Sequence, residues 1–198
     1  MNKLAFGTAL AVLAAAIPAT ASAQRIGGAV VAVVDAERIY RECTACKTAQ
    51  TQLQQQAQSL QQRAQQLGQP IQTEGQEIEN AIRALNGKQP DAALQQRIQA
   101  LQDKQNTANQ ELGNRQQQLQ STQAHVLQQI NQRLKPAINQ VMNQRGATVV
   151  MDAGNVIDFA PALDITNDVL AALNQQLTTI SVTPLPQQQQ QQQQPQGR

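Results

Sequence analysis

The distribution of apolar residues changes character along this chain, and each change marks a new element. Ala29-Val30-Val31-Ala32-Val33-Val34 is apolar at every position and rich in β-branched residues. Such a run predicts a short strand covered on both faces, with Asp35 placed to end it and to cap the next element. Further on, Leu53, Ala57, Leu60, Ala64, Leu67 and Ile71 fall alternately four and three residues apart. The register continues through Glu74 to Ile78, Ala81 and Leu85, with Ile82 beside it. A spacing that averages about 3.5 residues over such a length is the signature of a coiled coil. Asn86-Gly87-Lys88-Gln89-Pro90 then predicts a chain reversal, Pro90 suiting a first helical position. The spacing resumes at Leu94, Ile98, Leu101, Ala108, Leu112, Leu119 and Val126, and closes with Ile130, Leu134, Ile138 and Val141 before Gly146 stops it. Two antiparallel helices of roughly 40 and 55 residues would reach about 60 and 80 Å at 1.5 Å per residue. The excess length of the second is expected to lie back against the rest of the protein.

Between the apolar positions the residue is mostly Gln, which occurs 42 times in the 198-residue chain. Gln is a good helix former without charge. The predicted seam is thin: Ala, Gln105 and Arg115 stand where a strong coiled coil places Leu. Gly68, Pro70, Gly75 and Gly113 fall in its middle reach, and Pro70 removes a helical hydrogen bond, so a bend is expected there. Beyond the hairpin, Thr148-Val149-Val150-Met151 predicts a strand, Asp152-Ala153-Gly154-Asn155 a tight turn, and Val156-Ile157-Asp158-Phe159-Ala160 a further strand. After Pro161, Asp164 or Thr166 can cap a helix with the stripe Ile165, Val169, Leu170, Leu173 and Leu177. From about Thr183 the composition is Pro and Gln, too poor in apolar residues to order itself.

The N-terminal stretch has the form of a secretory signal. Lys3 supplies the positive start, Leu4 to Ile17 is almost unbroken apolar sequence, Pro18 interrupts it, and Ala21-Ser22-Ala23 offers small residues for cleavage before Gln24. An apolar run of about 14 residues is short of the roughly 20 that span a bilayer. Residues 1–23 are therefore expected to be removed and the protein exported, in a Gram-negative cell to the periplasm.

Composition excludes several classes. Aromatics make up 2% of the chain (Phe6, Tyr40 and Phe159, with no Trp), and there is one His and two Cys. A compact enzyme of this length buries several aromatics, and a nucleic-acid binder carries more charge together with rings to stack on bases. Neither enzymatic activity, a cofactor nor a nucleic-acid partner is expected. The net charge of +2 hides an uneven distribution. Lys88, Arg97, Lys104, Arg115, Arg133, Lys135 and Arg145 outnumber Asp91, Asp103 and Glu111, whereas Asp152, Asp158, Asp164 and Asp168 follow with only Arg198 to balance them. A mildly basic middle thus joins an acidic end, which either biases contact with an acidic partner or is simply solvated.

Size points to assembly. Outside the hairpin the strands and last helix total only about 50 residues, fewer than usually make a stable core alone. The predicted organisation is an α+β fold: a small β-rich head, discontinuous over residues 24–47 and 142–182, carries an antiparallel coiled-coil arm over 48–141 and a tail over 183–198. Several chains pooling their heads would cover the apolar strands. Val31, Val33, Val149, Met151, Phe159 and Leu170 are the residues expected to build that shared body.

The segments flanking the hairpin, Val30-Val31-Ala32-Val33-Val34-Asp35 and Ala147-Thr148-Val149-Val150-Met151-Asp152, resemble the Skp/OmpH family of periplasmic chaperones. Sharper still, Asp164-Ile165-Thr166-Asn167-Asp168-Val169-Leu170 is similar to that family's D-I-T-x-x-V-L helix start. The resemblance spans about residues 26–177, by identity at the head and by pattern in the arm. It implies a homotrimer with a β-barrel-like body and hanging helical arms, which holds unfolded outer-membrane β-barrel proteins without ATP. The chain has no G-x-x-x-x-G-K-[ST] phosphate loop, in keeping with that. Two features depart from the family: its arms are often markedly basic, so contact here with anionic lipid or lipopolysaccharide is expected to be weak, and the Gln-rich tail is an addition. Most arm leucines and isoleucines are expected in the seam, with Ile78, Ile82, Leu94 and Ile98 near the tip as the client-facing set.

Cys43-Thr44-Ala45-Cys46 fits three chemistries. A local disulfide or quiet thiol pair is the ordinary outcome in an exported protein. A reactive dithiol at a helix start is the second, although the βαβ framework of such enzymes is missing. A metal site is the third, with only His125 as a further soft ligand, and His125 reads as an ordinary helix-surface residue. Asp152, Asn155, Asp164 and Asp168 sit where turns, caps and the helix dipole favour them. Two rival functions remain beside the chaperone: a structural adaptor of the envelope built on the same hairpin, and a redox protein built on Cys43 and Cys46.

Overall fold

The computed structural model describes residues 27–183. The expected signal segment, and all of the expected tail except Thr183, lie outside the described residues. In chain order the elements are β1 (Val31–Val34), α1 (Ala36–Glu42), α2 (Thr44–Ala84), α3 (Ala92–Gln144), β2 (Val149–Asp152) and α4 (Thr166–Gln176), with single 3-10 turns at Ala153–Asn155 and Pro161–Leu163. The described chain is mostly helical, with one small two-stranded sheet.

β1 and β2 pair in parallel, Val31 opposite Val149 and Val34 opposite Asp152. Parallel strands need a crossover rather than a tight turn, and here the crossover is the whole helical excursion between them. Thr148 sets the register: Val30 N–H donates to Thr148 Oγ1 at 2.9 Å, and Thr148 N–H donates to the Val30 carbonyl at 2.8 Å. On the other edge of β1, Ile165 N–H donates to the Val33 carbonyl at 2.9 Å and Val33 bridges Asp164. Flanked on both sides, β1 is the covered strand the sequence predicts: Ala32, Val33 and Val34 are buried.

Asp35 ends β1 and accepts from Arg38 N–H at 2.8 Å, capping α1. Its own N–H donates to Thr166 Oγ1 at 2.9 Å, while Thr166 N–H donates to Asp164 Oδ1 at 2.8 Å. This knot ties the starts of α1 and α4 together, and Thr166 within it is fully buried. Thr166→Val keeps the shape but leaves the Asp35 N–H without its acceptor. The expected loss is about 1–3 kcal/mol, to be read as a lower urea midpoint.

Cys43 separates α1 from α2: its backbone is extended (φ −55°, ψ 129°), and it caps α2 through Sγ, which accepts from Cys46 N–H at 3.2 Å. Cys43 and Cys46 form a disulfide. α2 then runs as continuous helix through Gly68, Pro70 and Gly75. Asn86 and Gly87, both at positive φ (46° and 86°), make the reversal. Asp91 caps α3 by accepting from Leu94 N–H at 2.8 Å, and α3 returns beside α2. As numbers rise along α2 their partners on α3 fall: Arg63 pairs with Glu111, whereas Glu74 and Glu77 pair with Arg97. Gly146 (φ +66°) ends α3 as expected. Its N–H donates to the Asn143 carbonyl and that of Ala147 to Met142, the two bonds of a glycine-terminated helix.

The core sits in the head. Ala32, Val34 and Ile39 pack with the disulfide, with Val126, Ile130, Leu134 and Val141 of α3, and with Val169 and Leu173 of α4. The far part of α3 thus lies back on the head. One predicted element is absent: residues 156–160 form no strand. Asp158 Oδ1 accepts from Phe159 N–H at 2.8 Å, which diverts that donor from any ladder. Ile157 stands fully exposed, with no neighbouring strand to pair or cover it.

Candidate interaction surfaces of the head and arm

Two surfaces are available. The first is the outer side of β2, which among the described residues pairs with β1 alone and so presents an unpaired backbone edge. Val149 and Met151, on one face of the strand, are each 41% exposed, Val30 is 51% exposed and Ile157 lies open nearby in sequence. Of the residues expected in a shared body, Val149 and Met151 are exposed, Val31, Phe159 and Leu170 are half-buried, and Val33 is covered by its own chain. Val33 is buried within its own chain, on the strand face it shares with Val31 and, across the pair, with Val149 and Met151.

The second surface is the arm. Its seam is thin on the α2 side: between Ala49 and Ile78 no residue of α2 is buried. Beside Pro70 the helices leave an open groove of about 470 Å³, lined by Leu67, Pro70, Ile71, Ala100 and Ala108 with Asp103 and Lys104 at its border. Small residues on α3 opposite Leu67 and Ile71 account for that gap. Of the tip residues, Ile78 and Leu94 are buried in the seam, Ile98 is half-buried and Ile82 is 44% exposed.

Ion pairs replace the missing leucines. Glu111 accepts from Arg63 Nε at 2.8 Å and from Arg115 Nε at 2.9 Å. Hydrogen bonds from Arg63 and then Arg115 hold its carboxyl down from the ordinary 4.5 to about 2. A depressed carboxyl stabilises the fold above its unfolded value and loses that contribution as pH falls through the folded one. The arm should therefore loosen as pH drops from 4.5 to about 2. Glu111→Gln should flatten that part of the acid dependence of the urea midpoint, measured against the parent chain. Arg97 bridges Glu74 and Glu77, and Arg145 pairs with Asp168. Three of the seven basic residues of the middle segment (Arg97, Arg115 and Arg145) are thus engaged with carboxylates.

Among the described residues, no cluster of three His, Cys, Asp or Glu side chains could hold a metal, and no helix is long and apolar enough to cross a membrane. His125 is half-buried rather than on the surface, with Nδ1 enclosed and without a hydrogen-bond partner. Cys43 and Cys46 are buried and bonded to each other, so neither offers a thiol here. Residues 178–182, Gln56 and Gln129, to which the sequence pattern assigns no role, come together on the arm base. The alternation Ile180-Ser181-Val182 is the only local signal of that contact.

A small head with a parallel strand pair, from which two long helices extend and return, defines a helical-arm protein. The pattern of the family described as "Outer membrane protein (OmpH-like)" matches residues 30–173, and the chain belongs to that family. Its fold is similar to the crystal structure of an OmpH-like candidate outer membrane chaperone from Caulobacter crescentus CB15. The two share 22% identity at a TM-score of 0.67, over 83% of this chain and 95% of that one. No curated protein matches the chain.

Proposed function

We propose that this protein is an ATP-independent holdase of the periplasm, a homotrimer whose arms shield unfolded outer-membrane β-barrel proteins in transit. The observation that carries this reading is the arm: helices of 41 and 53 residues rise from a small head and close on each other through a thin, glutamine-flanked seam. Such a surface offers many weak contacts to an unfolded chain, and a set of weak contacts binds strongly when several arms act together. Family membership and the likeness to an OmpH-like candidate chaperone favour the same role and an envelope location.

Trimer assembly is supported by the unpaired edge of β2 and the exposed Val149 and Met151 on it, with Ile157 open a few residues further along the chain. In the arm, Ile82 and Ile98 are the client-facing candidates with accessible surface, while Ile78 and Leu94 support them from the seam. The engaged arginines favour at most weak contact with anionic lipid.

The test is complex formation with a urea-unfolded porin on size exclusion. The full chain should co-elute with it. A shortened arm, in which the Asn86–Pro90 turn joins Leu67 directly to Ala108, should not. Equal co-elution of both would remove the arm from the mechanism. Absence of any complex would favour the structural adaptor.

A further inference from the structure

The family match ends at residue 173, but the ordered chain continues past α4 onto the arm. Residues 177–183 have no helical or strand structure. Ser181 exchanges two hydrogen bonds with a single side chain of α3: its N–H donates to Gln129 Oε1, and Gln129 Nε2 donates to its carbonyl, both at 2.9 Å. From α2, Gln56 Nε2 donates to the Val182 carbonyl at 2.9 Å. Ile180 and Val182 pack against the core while Ser181 between them is exposed. Alternate side chains in and out are the mark of an extended segment. Here two glutamine amides from two helices do for it what a neighbouring strand would do.

These contacts recognise peptide groups, which every polypeptide carries, and ask only for apolar side chains at alternate positions. The amide of Gln supplies both a donor and an acceptor, so it can satisfy one residue of an extended chain completely. The hold is also light. The two bonds to Ser181 face solvent, and neither apolar side chain is fully covered. Behind them Leu177 is buried and its N–H is bonded to the Leu173 carbonyl, so the strap can leave without unwinding α4.

We propose that the surface across α2 and α3 around Gln56 and Gln129 is a binding site for an extended polypeptide segment with apolar residues at alternate positions. Residues 180–182 occupy it as an internal stand-in that an incoming segment displaces. That the incoming segment is a strand of an unfolded client rests on the holdase reading; the competition itself does not.

The probe is a dansyl-labelled octapeptide of alternating valine and threonine with a lysine at each end, followed by anisotropy. A peptide of the same composition with its valines clustered serves as control. Ile180→Ser with Val182→Ser, which weakens the strap, should tighten binding of the alternating peptide at least tenfold over the parent chain. Adding Gln56→Leu and Gln129→Leu should abolish that gain. In the unaltered protein, saturating peptide should remove hydrogen-exchange protection from the Ser181 amide, a readout independent of whether the variants fold. No gain on weakening the strap, equal binding of the clustered peptide, or unchanged Ser181 protection would each overturn the site. Porin aggregation followed with the unaltered protein separates the two ideas: no suppression, with intact peptide competition, sinks the holdase reading alone.

Discussion

If the proposed trimer forms through β2, Val149→Asp combined with Met151→Asp is expected to leave single chains. Both side chains lie on one face of β2, each 41% exposed, beside a backbone edge that pairs with nothing among the described residues. In the isolated chain a carboxylate at either position would stand in water at little cost. Buried between copies without a partner, each costs several kcal/mol, so the pair should weaken association by about a thousandfold or more. Light scattering coupled to size exclusion should give the mass of one chain, with the helical circular dichroism signal retained. A variant that keeps the parent mass would place the assembly surface elsewhere.

Breaking the disulfide should produce the largest loss of stability. Cys43→Ala with Cys46→Ala removes a cross-link from the point where the chain turns from α1 into α2, and both sulfurs are buried in the head core. Chain entropy alone assigns about 2 kcal/mol to so short a loop. The buried volume lost at two positions adds about 1 kcal/mol more. A chain of this size should then melt about 6–12 °C lower. A thiol reductant should lower the melting temperature of the parent protein by the share of the cross-link alone, about 4–8 °C, and leave the variant unchanged. At a temperature well below both transitions, client protection should persist in the variant. Its disappearance there would instead support a redox role for the pair.

Much of this molecule was legible from local pattern. The heptad spacing placed α2 and α3, Asn86-Gly87 placed the reversal, Gly146 the stop, and Asp164 to Leu177 the last helix with its buried stripe. Each of these depends on neighbours close in sequence or on one required backbone angle. What escaped depends on partners far along the chain. Residues 156–160 are apolar enough for a strand, yet a strand forms only where another offers its edge, and Asp158 engages the Phe159 donor locally. Residues 164–165 return to the second edge of β1, a pairing that nothing local in the sequence marks. The groove beside Pro70 depends on small residues of a distant segment, Ala100 and Ala108, which nothing local marks. The glutamine contacts of the strap were invisible for the same reason, since nothing local marks Gln56 or Gln129 among so many glutamines.

The arms should hold an unfolded client without nucleotide. To test this, a urea-unfolded outer-membrane porin is diluted into buffer and light scattering is followed against increasing amounts of the protein lacking residues 1–23. Suppression that saturates near three chains per porin, with no nucleotide present, is the predicted result. Unchanged aggregation at several-fold excess would contradict it.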